Sequence, residues 1–78
     1  MPDVPVKWEI RGHVAILTLN RPGALNAFDL DMMRSHRERL KEFASNDDLW
    51  VLVYVGEGRA FSAGVDVKGA SEFLEWDA

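Results

Sequence analysis

Leu49 to Val55 is an unbroken run of seven apolar residues, closed by Asp48 on one side and Gly56 on the other. Its β-branched and aromatic content favours a strand. The lack of polar alternation predicts cover on both faces, as in the interior of a parallel sheet. As a helix, the run is far too short to span a bilayer. A parallel strand needs a crossover before it, and the upstream sequence supplies one. Leu30 to about Ala44 has helical spacing, with Leu30, Met33, Arg37, Leu40 and Phe43 or Ala44 on one stripe. Arg34, Glu38, Lys41 and Glu42 mark the opposite, wet face. Asp29 is placed to cap the first turn, and Asp31 adds favourable negative charge there. Ser45-Asn46-Asp47-Asp48 is a polar stop.

Before the helix, His13 to Leu19 reads as a strand with two mostly apolar faces. Val14, Ile16 and Thr18 point one way and Ala15, Leu17 and Leu19 the other. Val6 to Ile10 alternates and forms a hairpin with it through Arg11-Gly12. Asn20-Arg21-Pro22-Gly23 ends the hairpin. The strand–helix–strand passage should be a right-handed crossover. Gly56 to Gly64 reads as a loop, and Asp66 to Trp76 as a second helix weakened by Gly69. The expected class is α/β: hairpin, helix, buried strand, helix.

The 78 residues hold no linker and no internal repeat, so residues 1–78 are expected to form one unit without an internal boundary. The formal charge is −4. It is unevenly spread, +1 over residues 1–39 and −5 over residues 40–78. That balance lacks the basic footprint of a nucleic-acid-binding module. The absence of cysteine removes disulfides and thiolate chemistry, and no ligand cluster suggests a metal. Met1-Pro2-Asp3-Val4 has no basic region followed by an apolar stretch, so no signal peptide is expected and the cytoplasm is the default location. Three Trp, four Phe and one Tyr are a large apolar load for so small a core. The chain is therefore expected to pack against something else, either the remainder of an enzyme or copies of itself, rather than stand as a stable monomer.

The densest chemical signal is Gly56-Glu57-Gly58-Arg59-Ala60-Phe61-Ser62-Ala63-Gly64-Val65-Asp66. It follows the most apolar strand and precedes a helix, where open α/β folds place ligands. It is not the dinucleotide fingerprint, because Phe61 stands where the third glycine belongs, and it lacks the Gly-Lys-Ser/Thr of a nucleotide-triphosphate loop. Taken by itself, such a joint is purely structural about half the time. Asp66 equally suits a helix cap and Lys68 a solvated charge, while Arg59 suits the holding of its own loop better than a phosphate contact. His13 and His36 have no companion ligands or nucleophile and read as structural or surface residues.

Three stretches in order resemble the enoyl-CoA hydratase/isomerase (crotonase) superfamily. They are Val14 to Leu19 running into Asn20-Arg21-Pro22, Ala24-Leu25-Asn26-Ala27-Phe28 before a helix, and Gly58-Arg59-Ala60-Phe61-Ser62-Ala63-Gly64-Val65-Asp66-Val67-Lys68. The resemblance covers about residues 6–70 and implies the N-terminal part of a crotonase-like spiral of ββα units. It implies an acyl-CoA thioester as ligand, with coenzyme A as part of the substrate and no separate cofactor. The N–H of Val65 matches the first of two backbone donors to a thioester enolate. Ala24, Leu25, Ala63, Gly64, Asp66 and Val67 match positions along the adenine and pantetheine path, and Lys68 a basic position near the CoA phosphates. Gly23 departs from the lysine that many members carry. The family's second donor and catalytic carboxylates lie in later segments, and Glu72 and Glu75 do not match them. Hydration of a 2-enoyl-CoA is the first expectation for the parent enzyme, with the isolated chain inactive. The rival is a non-catalytic interaction or assembly module.

Overall fold

The computed structural model describes residues 4–64. Strand β1 (Val6–Arg11) and strand β2 (Val14–Leu19) form an antiparallel hairpin with Arg11 opposite Val14. The loop is Gly12-His13, and of the two only Gly12 has positive φ, +60°. Glycine at the first loop position is the pattern of a type II′ turn, whose twist matches that of paired strands. A short 3-10 turn (Pro22–Ala24) leads to helix α1 (Leu30–Ser45), and strand β3 (Val51–Gly56) closes the order. β3 pairs with β2 in parallel, Val14 beside Val51 through Leu19 beside Gly56, so the sheet order is β1-β2-β3.

These elements follow the sequence pattern with shifts at the ends. His13 turns rather than extends. Its carbonyl accepts the N–H of both Trp50 and Val51, at 2.8 and 3.3 Å. Leu49 N–H is engaged in a turn with Asn46 O at 3.1 Å, so β3 begins two residues later than the apolar run. The proposed second helix, Asp66 to Trp76, lies outside the described residues.

One face of the sheet is closed. Val6, Leu17 and Leu19 pack with Met32 of α1, flanked by Trp8, Phe28 and Leu52. The other face carries Lys7, Glu9 and Arg11, then Val14, Ile16 and Thr18, then Val51, Val53 and Val55, as the registers require. Here the expectation of cover on both sides is corrected. Val51, Val53 and Val55 are 50%, 40% and 39% exposed, and β3 is an edge strand among the described residues. One helix covers one face of a three-stranded sheet. The apolar pattern of β3 is that of an interior strand whose second cover these residues do not provide.

The helix stripe is also corrected. Met32, not Met33, is the fully buried residue of α1, while Met33, Leu40 and Phe43 are half-buried and Ala44 is exposed. Glu42, assigned to the wet face, accepts a hydrogen bond from Trp8 Nε1 at 2.9 Å and an ion pair from Arg39 Nη1 at 2.9 Å. Arg39 lies over the Trp8 ring, 5.5 Å from its centroid. Arg34, Glu38 and Lys41 are exposed as the pattern expects, so the wet face stands and only the buried side shifts towards Met32 and Glu42. An aromatic N–H and a cation–π contact from β1 hold that side. Asp29 caps as expected, its Oδ1 accepting Met32 N–H at 2.9 Å.

Met32→Ala should therefore destabilise the fold by about 2–5 kcal/mol, and Met33→Ala by much less. Urea denaturation of both variants, followed by circular dichroism, checks that Met32 is the buried one of the pair; equal losses would contradict it.

Candidate functional site

The carboxyl ends of β2 and β3 point the same way, because the two strands are parallel. The loops that follow, residues 20–29 and 57–64, are joined to each other. Asn26 is the joint. It is fully buried, with a left-handed φ of 56°. Its Nδ2 donates to Glu57 O at 2.9 Å and to Ala60 O at 2.8 Å. Its Oδ1 accepts Arg21 N–H at 2.7 Å, and its own N–H donates to Arg21 O at 2.8 Å. Its carbonyl accepts the Ser62 hydroxyl at 2.9 Å. Asparagine tolerates the left-handed region; Leu25 beside it, at φ 52°, is there at a cost of order 1–2 kcal/mol. The Asn26 bonds hold that conformation in place.

Glycine is required where the loops touch. A Cβ on Gly56 would sit 2.5 Å from the Phe61 Cα, so the chain folds back over this residue only because it has no side chain. Further bonds continue the seam. Ala63 N–H donates to Leu25 O at 2.9 Å, and Phe28 N–H to Gly64 O at 2.7 Å. Arg21 braces the first loop through Ala27 O and through Asp29, 3.6 Å away.

The structure brings together four of the residues singled out in the sequence. Ala24 and Leu25 are half-buried in the first loop, and Ala63 and Gly64 are exposed in the second, tied across the seam by the Leu25–Ala63 bond. Val65, Asp66, Val67 and Lys68 lie outside the described residues. Arg59, favoured as the holder of its loop, is exposed and makes no side-chain bond among the described residues. Asn26 does that work instead. Among the described residues no group of three or more His, Cys, Asp or Glu could hold a metal, and no helix is long and apolar enough to cross a membrane.

The two histidines hold structure. His13 Nδ1 lies 2.7 Å from Asp48 O, and its ring stacks on Trp50 at 3.6 Å. His36 Nε2 lies 2.8 Å from the Tyr54 hydroxyl, with Phe28 edge-on to the ring. Burial lowers the His36 pKa and raises that of Tyr54, so both are neutral at neutral pH. Asn26 and Ser62 were passed over in the sequence. The one available signal was an asparagine following Pro-Gly-Ala-Leu, a residue type that accepts a left-handed turn.

Residues 14–75 match the family described as enoyl-CoA hydratase/isomerase, a span that includes both loops. The chain belongs to that family. It is 43% identical over 58 residues to the probable enoyl-CoA hydratase echA12 of Mycobacterium leprae, covering 74% of this chain and 20% of that protein. It is 42% identical over 65 residues to the mitochondrial 3-hydroxyisobutyryl-CoA hydrolase of Rattus norvegicus, covering 82% of this chain and 17% of the hydrolase. The crystal structure of an enoyl-CoA hydratase/isomerase from Mycobacterium paratuberculosis superposes with a TM-score of 0.84 at 42% identity, over 94% of this chain and 27% of that one. The chain thus spans about a fifth of the length of these curated relatives, and its three-stranded sheet and helix match the N-terminal region of the crotonase fold.

Replacing Asn26 by Ala or by the isosteric Asp removes both donors to Glu57 O and Ala60 O. Each variant should lose at least about 2 kcal/mol of stability, and the loops should become the first sites of proteolytic cleavage. Denaturation and limited proteolysis check this; an Asp variant as stable as the unsubstituted chain would refute it. For His36 the folded-state pKa is depressed, so its contribution to stability is present above the ordinary histidine pKa of ~6.5 and is lost as pH falls through the folded value. Stability should decline as the pH falls from about 6.5 towards the lower folded value, and His36→Gln should flatten this part of the profile.

Proposed function

We propose that the chain is the acyl-CoA-binding part of an enoyl-CoA hydratase/isomerase-type enzyme, supplying one backbone donor, the N–H of Val65, to the oxyanion of a thioester enolate. The observation that carries this reading is the seam between the loops, which sets Ala24 and Leu25 beside Ala63 and Gly64 within a family match spanning both segments. Small residues at the carboxyl end of a parallel strand pair leave the main chain open to close approach by a ligand. Asp66 and Val67 continue the CoA path in this reading, and Lys68 attracts its phosphates.

The chemistry follows from charge. When a proton leaves the carbon next to a thioester carbonyl, or water adds across the neighbouring double bond, negative charge builds on the carbonyl oxygen. A preoriented N–H stabilises that charge more than it stabilises the neutral carbonyl, which lowers the barrier. Such a donor serves hydration, isomerisation and thioester hydrolysis alike. The relatives' names span a hydratase and a hydrolase, and a shared fold does not choose among reactions. Hydration of a 2-enoyl-CoA is the reading for the parent enzyme. The acid and base for it lie outside these 78 residues, and the cytoplasm remains the proposed location. A second reading, an interaction or assembly module, draws its support from the half-bare apolar row Val51, Val53 and Val55. The remainder of the enzyme or further copies of the chain would cover that row.

Two outcomes test the first reading. The purified 78-residue chain should not hydrate crotonyl-CoA above a buffer blank. In the full-length enzyme Val65→Ala should be mild, whereas Val65→Pro, which removes the N–H, should lower the rate by roughly 10²–10³. CoA binding and circular dichroism measured alongside separate lost chemistry from lost folding. A Val65→Pro variant that folds, binds CoA and turns over normally would refute the donor role.

A further inference from the structure

We infer that this chain associates with a second copy of itself through β3, the two strands pairing antiparallel about a two-fold axis at Val53 to make one continuous sheet. The inference rests on the second reading above, that of an assembly module, and names its partner. Among the described residues eight large apolar side chains are exposed, and six of them lie on or beside this strand: Trp50, Val51, Val53, Tyr54, Val55 and Phe61. Trp50 is 68% and Phe61 56% exposed. No strand lies beyond β3 among the described residues. Strand edges in folded proteins are commonly guarded by charge, proline or a bulge. β1, at the opposite edge, carries Lys7, Glu9 and Arg11. Val51–Gly56 carries no charge and no proline. The sheet thus has one guarded edge and one open one, which stops assembly at two copies.

The backbone fixes which groups are on offer. Val51 N–H donates to His13 O at 3.3 Å and Glu57 N–H to Leu19 O at 2.9 Å, so the odd-numbered residues of β3 bond to β2. Successive residues of a strand alternate in direction, so Leu52 and Tyr54 present their N–H and C=O to the open edge. The side chains select the partner. Val51-Leu52-Val53-Tyr54-Val55 has the same pattern read from either end, as a contact between identical surfaces requires. Centred on Val53, the pairing sets Leu52 against Tyr54 of the second copy in the hydrogen-bonded positions. Val51 then meets Val55, and Val53 meets Val53, in the closer non-bonded positions, where β-branched side chains pack across strands. Charge agrees with this direction and register. Asp47 before the strand and Arg59 after it are exposed, and neither side chain has a partner among the described residues. The pairing carries Asp47 of each copy towards Arg59 of the other, once at each end. Shifting the register by two residues would set Glu57 opposite Val51 one way and opposite Asp47 the other.

The test uses the 78-residue chain, which has no cysteine of its own. In sedimentation equilibrium it should be a mixture of monomer and dimer, with the dimer lost on dilution, since one strand pair is a small interface. Val53→Lys puts like charges on the two-fold axis at a position 40% exposed in the single chain. It should keep the circular dichroism of the unsubstituted chain and weaken dimerisation at least about tenfold. Introduced cysteines read the register, because a non-bonded antiparallel pair has the Cα spacing of a disulfide. Val53→Cys should cross-link to itself under mild oxidation. Val51→Cys should not, but should cross-link to Val55→Cys when the two variants are mixed. The cross-links decide the matter if Val53→Lys fails to fold. A chain that sediments as a monomer throughout overturns this inference and assembly from copies of the chain with it. A dimer that folded Val53→Lys leaves intact, that Val53→Cys does not cross-link, or that grows past two copies overturns the β3 pairing alone.

Discussion

The buried side chain of Asn26 is the constraint on which the candidate site depends. It reaches across 31 and 34 residues of sequence to two carbonyls of the second loop, while its Oδ1 takes a main-chain N–H of its own loop. An amide is the smallest group that donates twice and accepts at once, and every one of those capacities is used. In a desolvated position the bonds cannot be traded for water. Losing the side chain would leave orphaned carbonyls as well as an empty space. The left-handed turn at Leu25-Asn26, costly alone, is stabilised because it aims this amide inward.

The rest of the fold places the two loops where Asn26 can join them. A parallel pairing of β2 with β3 brings both carboxyl ends to one edge, and α1 spans the distance between them. Trp8, Arg39 and Glu42 lock it to β1. Among the described residues the sheet is closed on the helix side and half-bare on the other. The valines of β3 are therefore more apolar than their present surroundings warrant, consistent with a chain spanning about a fifth of its curated relatives.

Much of the fold could be read from the sequence because it rests on local chemistry. The strands at Val6 and Val14, the helix from Leu30, its Asp29 cap and the parallel strand after a crossover all follow from periodicity and turn residues. Non-local contacts could not be read. Nothing in helical spacing foretells that Trp8 will engage Glu42 and that Met32 will be the buried residue of the helix. Nor does the run from Leu49 announce that its first two residues will be used in a turn with Asn46 and His13. The site divides the same way. Ala63 and Gly64 stand out as small residues in the loop after the apolar strand, whereas Ala24 and Leu25 were reached only through the family motif, since no spacing rule links positions so far apart. The roles of Asn26 and Ser62 emerge only when the two loops are seen together.

The length of the ties across the seam has a consequence for how the chain comes together. The hairpin joins neighbours and can form in microseconds, and the helix grows from local bonds. The bonds from Asn26 and Ser62 close intervals of 31 to 36 residues. Their loop-closure entropy must be met before they return anything. The parallel pairing of β2 with β3 closes intervals at least as long, Val14 to Val51 and Leu19 to Gly56, so the seam and that pairing consolidate together, after the hairpin and the helix. The candidate site is therefore assembled in the same step that completes the sheet.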